Sequence, residues 1–125
     1  MARPPASGPM VQQDDFGGFL NYLFEALSHQ YRRFVLYYFI EEDAEVAELN
    51  ELVAYVAKLD ENVSELSETE RERLRTELDV IHLPRLAEVG PIEYDRRSRS
   101  VRYDCLPSVE EWAEHAMYRE LEELR

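Results

Sequence analysis

The apolar rhythm of this chain changes period around Gly90-Pro91, and that change constrains the fold more than any other feature. Before it, Leu74, Leu78, Ile81 and Leu86 recur at the spacing of one buried helix face. After it, Ile92 and Tyr94, then Val101 and Tyr103, alternate with Glu93, Asp95, Ser100 and Arg102. That is the period-two pattern of strands with one covered side. A helix over about 68–88 must therefore give way to a β-hairpin over 92–103. Gly90 supplies the left-handed residue that ends a helix, and Pro91 prevents continuation. Pro84 lies inside the helix, lacks a backbone donor and collides with the turn before it, which predicts a kink or break near 80–83. Pairing Tyr94 with Val101 sets Ile92 opposite Tyr103 and Glu93 opposite Arg102, leaving "RRSR" (96–99) as the loop.

Helical spacing recurs upstream. Phe16, Phe19, Leu20, Leu23, Phe24 and Leu27 predict a first amphipathic helix over 15–27, with Asp14 or Asp15 as its cap. Ser28 is placed to cap a second helix running to about Glu42. Its block "FVLYYFI" (34–40) is apolar nearly all round, so this helix should be the most buried element. Val46 offers a single strand contact, and Leu49, Leu52, Val53, Val56 and Leu59 predict a third helix over 48–60. "ENVSELS" (61–67) reads as a loop, ending in a capping box of Ser67 with Glu70. After the hairpin a second box, Ser108 with Glu111, opens a last helix. Val109, Trp112, Ala113, Ala116, Met117, Leu121 and Leu124 hold one face of it for four turns, as a helix–helix interface requires.

The 125 residues suit one domain with a terminal helix: a disordered tail at 1–14, a domain at 15–106 and a dimerisation helix at 107–125. The net charge is −13, and Lys58 is the only lysine beside thirteen arginines. This balance points to a proteome adapted to molar salt, where hydrated carboxylates keep a protein soluble. Cys105 is the only cysteine, which excludes an intrachain disulfide and a thiolate metal cage. The chain has no apolar run near twenty residues and no apolar leader segment, so a cytoplasmic location is expected, with no membrane contact.

Helices two to four followed by a hairpin make the winged helix-turn-helix plan, mainly α with a small β-hairpin (α+β) and flanking terminal helices. "LSHQYRRFVLYYFIEE" and "HLPRLAEVGPIEYDRRSRSVRY", with the spacing between them, resemble a haloarchaeal family of small winged-helix proteins with an ArsR-like core. The resemblance covers about residues 19–104. Its most specific block is matched by His82, Leu83, Pro84, Leu86, Gly90, Ile92, Tyr94 and Asp95; a second is matched by Leu27, Ser28, Arg32, Arg33, Val35 and Leu36. It implies a winged-helix fold, dimerisation and a role in transcription.

Arg96, Arg97, Arg99 and Arg102 give residues 94–103 a charge of +3, the one basic surface on an acidic chain. Arginine grips phosphate as a fork, so a hairpin tip that touches DNA is expected. Arg71, Arg73, Arg75 and Thr76 are the candidates on the groove-facing helix. They stand among Glu68, Glu70, Glu72, Glu77 and Asp79, with no Asn, Gln or Lys, a composition ill suited to reading base edges. Phe16, Phe19, Leu20, Val109, Trp112, Ala116, Met117 and Leu121 are the candidate homodimer contacts. Arg32 and Arg33 are expected to pair with nearby glutamates (Glu25 or Glu42), and His82 to be a buried hydrogen-bonding residue. Glu111 and His115 supply only two ligands, and Cys105 has no near cation to activate it as a redox switch. With no glycine-rich phosphate loop, nucleophile constellation or metal-spaced cluster, neither an enzyme nor a cofactor, metal or small-molecule ligand is expected.

Overall fold

The structure, a computed structural model, describes residues 16–60 and 67–124. The expected tail at 1–14 and most of the loop expected at 61–67 lie outside those residues. In chain order the elements are α1 (Phe16–Leu27), α2 (Gln30–Glu42), β1 (Val46–Glu48), α3 (Leu49–Leu59) and α4 (Glu68–Glu77). A π-helical turn (Leu78–His82), α5 (Leu83–Val89), β2 (Ile92–Asp95), β3 (Ser100–Tyr103) and α6 (Pro107–Leu124) follow. This is a winged helix-turn-helix with flanking helices at both ends.

The core forms around α2, where Phe34, Val35, Leu36, Tyr37 and Phe39 are all buried. Burying a side chain of this size is worth roughly 1.5–3 kcal/mol, so this helix anchors the fold. It starts later than Ser28 would allow, because His29 is the cap: its Nδ1 accepts from Tyr31 N–H at 3.0 Å. At the other end of the core, Phe39 stacks on Tyr103 of β3 with ring centroids 5.0 Å apart, joining the hairpin to α2.

The hairpin takes the expected register: Ile92 faces Tyr103, Glu93 faces Arg102 and Tyr94 faces Val101. Its four-residue loop closes without glycine by two devices. Asp95 Oδ1 accepts from Arg97 N–H at 3.1 Å, and Arg99 takes the left-handed conformation with φ 59°. Val46 contributes more than a single contact: β1 pairs antiparallel with β3, giving a three-stranded sheet of order β1-β3-β2.

The long helix departs from expectation in an informative way. The irregularity at Pro84 is a π turn, in which Leu83 N–H donates to Leu78 C=O, one residue further back than in an α-helix. A proline ring clashes with the carbonyl four residues before it, here that of Val80, and widening the turn relieves that clash. The extra residue rotates the helix face. Leu78 and Leu83 are both fully buried, His82 is nearly so, and Ile81, expected in the core, is 53% exposed. Ser67 and Glu70 cap α4 reciprocally, as expected. Gly90 ends α5 with φ 129°, and a Cβ there would meet the Tyr22 ring at 3.0 Å. The last helix begins at Pro107, ahead of the expected Ser108–Glu111 box, since Glu110 N–H already donates to Leu106 C=O.

Candidate nucleic-acid interface

The hairpin is fastened to the helix before it. Asp79, in the π turn, accepts from the Tyr94 hydroxyl at 2.6 Å and from Arg96 Nε at 3.1 Å. The Tyr94 hydrogen bond, then Arg96, holds the Asp79 carboxyl below the usual carboxylate range. Hairpin and helix therefore present one surface rather than two independent ones.

That bracing divides the four hairpin arginines. Arg96 is committed to Asp79, and Arg102 Nε lies 3.2 Å from Glu93 Oε1 across the strands. Arg97 and Arg99 are exposed at the tip and form no ion pair among the described residues. The charge expected of four arginines is concentrated in two.

On the helix, Arg71, Arg73 and Thr76 are exposed and Arg75 is half-buried. None of the three arginines is in an ion pair among the described residues. The five carboxylates around them are not equivalent. Glu70 serves the cap with Ser67, Glu77 accepts from His82, and Asp79 is neutralised by Arg96. Thr69, Glu72, Arg73, Thr76, Glu77 and Ile81 line a shallow concavity of about 490 Å³ on this helix face. Glu72 and Ile81 were not among the sequence candidates. Pro84 signalled an irregularity in this helix, but not which way its face would turn.

A polar junction joins α1 and α2 to the end of α4 and the π turn. Buried Arg32 donates to Glu25 C=O at 2.9 Å and Ser28 Oγ at 2.8 Å, and lies 3.3 Å from His82 Nδ1. Arginine only donates, so His82 Nδ1 accepts and its Nε2–H donates to Glu77 at 3.0 Å. Burial lowers the His82 pKa, against the raising effect of Glu77. The His29 ring packs against it tilted by 40°, with centroids 4.1 Å apart, and burial lowers its pKa too.

His29, Glu77 and His82 bring three ligand atoms within 4.8 Å of one another, the spacing of a metal site. Both imidazoles, however, use their Nδ1 lone pair to accept hydrogen bonds, so the proton of each neutral ring lies on Nε2. Arg32 adds a positive charge beside them. The cluster is built as a hydrogen-bonded brace, not a cation cage.

The other candidates fall in separate places. Arg33 forms a two-pronged pair with Glu120 of α6, both contacts at 2.9 Å, and Tyr37 donates to the same carboxylate at 2.8 Å. Burial works against the Glu120 charge, but these hydrogen bonds win and lower its pKa. Val109, Ala113 and Leu121 of α6 are buried in the chain's own core, so that part of the stripe is already covered. Trp112 remains 54% exposed, Ala116 and Met117 are half-buried, and so are Phe19 and Leu20 on α1. The Phe16 side chain lies outside the described residues. Burial pushes the Cys105 thiol up to about 11, with Glu110 and Asp104 adding to the effect against a hydrogen bond from Tyr103, so its thiolate is disfavoured. No helix among the described residues is long and apolar enough to cross a membrane.

No curated protein and no solved structure matches this chain. Residues 24–102 match a family described as a domain of unknown function, DUF7344, from the second half of α1 to the end of the hairpin. The match takes in the brace at Arg32 and His82, the π turn and the hairpin tip, and the chain accordingly belongs to the DUF7344 family.

Proposed function

We propose that this chain is a DNA-binding transcriptional regulator of winged-helix type, acting as a homodimer in a high-salt cytoplasm by occupying promoter DNA rather than by catalysis. The observation that carries this reading is the hairpin tip. Arg97 and Arg99 form no ion pair among the described residues in a chain of net charge −13, on a wing locked to the groove-facing helix through Asp79. Phosphate is the polyanion two exposed arginine forks fit best. Trp112, a large apolar side chain left exposed on α6, is the anchor of the homodimer.

The test is duplex binding measured by gel shift across a salt series, with wild type and the double variant Arg97→Ala/Arg99→Ala. Each phosphate contact contributes about 0.9 to the slope of log affinity against log salt, so the double variant should lower that slope by about 2. Unchanged binding in the variant refutes the role of the wing. Replacing Trp112 by Glu should convert a dimer to a monomer on sizing, and a wild-type chain that already runs as a monomer refutes the dimer.

One observation favours a second reading, a winged-helix module that contacts proteins and not DNA. Two of the four wing arginines are neutralised within the chain, and Trp112 and Tyr118 stand exposed on α6. Absence of duplex binding at every salt concentration would support it.

A further inference from the structure

The π turn carries two exposed apolar side chains, of which Ile81 would be buried at regular helical spacing. Val80 is 52% and Ile81 53% exposed, and Ile81 lines the concavity that also holds Thr69, Glu72, Arg73 and Thr76. With Glu77 the concavity presents a guanidinium fork, two hydroxyls, two carboxylates and the branched Ile81, and Val80 is exposed next to Ile81 in the same π turn. Those are the groups that distinguish base edges in the major groove. Arginine pairs with guanine, threonine with several bases, glutamate with the cytosine amino group, and aliphatic carbon with the thymine methyl.

A protein partner fits this surface less well. A stable interface buries roughly 800 Å² per side around an apolar centre. Here the apolar part of the concavity is Ile81 alone, flanked by Glu72, Arg73 and Glu77. The brace at Arg32 and His82 holds the π turn in place from behind, and Asp79 ties the same turn to the wing. The surface thus has a fixed position relative to Arg97 and Arg99.

We propose that this face reads DNA sequence, with Val80 and Ile81 contacting thymine methyl groups, so that the preferred site contains thymine where the π turn meets the groove. The inference rests on the DNA-binding reading above. It also revises the expectation from composition alone that this helix is unsuited to base readout.

The experiment starts from a duplex pool with a randomised centre, bound by the full chain and sequenced after enrichment. The enriched duplex is then made with uracil in place of thymine, which removes only the methyl groups. Enrichment of A·T pairs is expected, and a loss of about four-fold in affinity per contacted methyl when uracil replaces thymine, the value of burying one such group. The double variant V80A/I81A should bind both duplexes equally while keeping the wild-type melting midpoint, since both side chains are exposed. A pool that enriches nothing, or equal thymine and uracil affinities in wild type, overturns the inference. If binding then still depends on Arg97 and Arg99, the wing reading stands, and the two side chains pass to a protein contact. A thymine preference that survives in V80A/I81A places the methyl contact elsewhere and also overturns it. No duplex binding at all overturns both readings.

Discussion

Arg32-Arg33 and Arg96-Arg97 are the chain's two pairs of adjacent arginines, and they meet opposite surroundings. The first pair begins the central helix and is consumed internally. Arg32 serves Glu25, Ser28 and His82, while Arg33 clamps Glu120 of the last helix. The second pair starts a tight loop. Arg96 is drawn back to Asp79, and Arg97 projects at the tip with no ion pair among the described residues. A buried cation must be fully hydrogen-bonded or its desolvation is uncompensated. A tip cation keeps its hydration and remains open to a ligand. Packing depth, and not local sequence, separates the internally paired arginines from the free one here.

Substitutions along the two pairs should follow that division. Arg32→Ala leaves a buried imidazole, a hydroxyl and a carbonyl without their donor and should cost about 3 kcal/mol, read from urea unfolding at fixed salt. A loss below about 1 kcal/mol would show that the junction is not a brace. Arg33→Ala removes a two-pronged pair at a half-buried site and should cost about 2 kcal/mol. Glu120→Ala should cost a similar amount, and the double variant should be markedly less than additive. Additive losses would show that the pair does not hold α6 to α2.

The pH dependence probes the same junction. His29 and His82 have folded-state pKa values below their ordinary 6.5, burial being the main cause. The unfolded chain therefore takes up protons first as pH falls. Stability present above about 6.5 should be lost progressively as pH drops through the folded values. Thermal midpoints between pH 7.5 and 5 should fall for wild type and fall less steeply for His82→Gln. Parallel curves would remove His82 from the account.

Smaller effects belong to the wing. Arg96→Ala breaks an exposed contact and should change the melting midpoint less than Arg33→Ala, and its own small effect should vanish in molar salt. Arg97→Ala/Arg99→Ala should leave the midpoint unchanged while altering duplex binding. A destabilised double variant would mean that the tip arginines have a structural partner.

Much of the fold was legible in advance because it depends on near neighbours. The register from Ile92–Tyr103 to Tyr94–Val101 follows from alternation alone, and the Ser67–Glu70 cap from a local pattern of four residues. The pairings of Arg33 with Glu120 and of Arg96 with Asp79 were not legible. They join residues far apart in the chain, and acidic residues are so abundant that no single partner stands out. The candidate site was read in part. Its arginines were named, but the division into committed and free ones was not, and neither was the contribution of Glu72 and Ile81.

The amino-acid sequence alone determined the order of elements, the Ser67–Glu70 cap, the hairpin register and a concentration of positive charge at one loop, because each is set by periodicity, turn chemistry or composition. The fold settled which way each face points and which cations are free. Pro84 announced an irregularity, yet whether it became a kink or a π turn depended on packing Leu78, His82 and Leu83 against the core together. That choice turned Ile81 outward and His82 inward. Rotation of a helix face is a collective outcome of long-range packing, to which no short stretch of sequence has access.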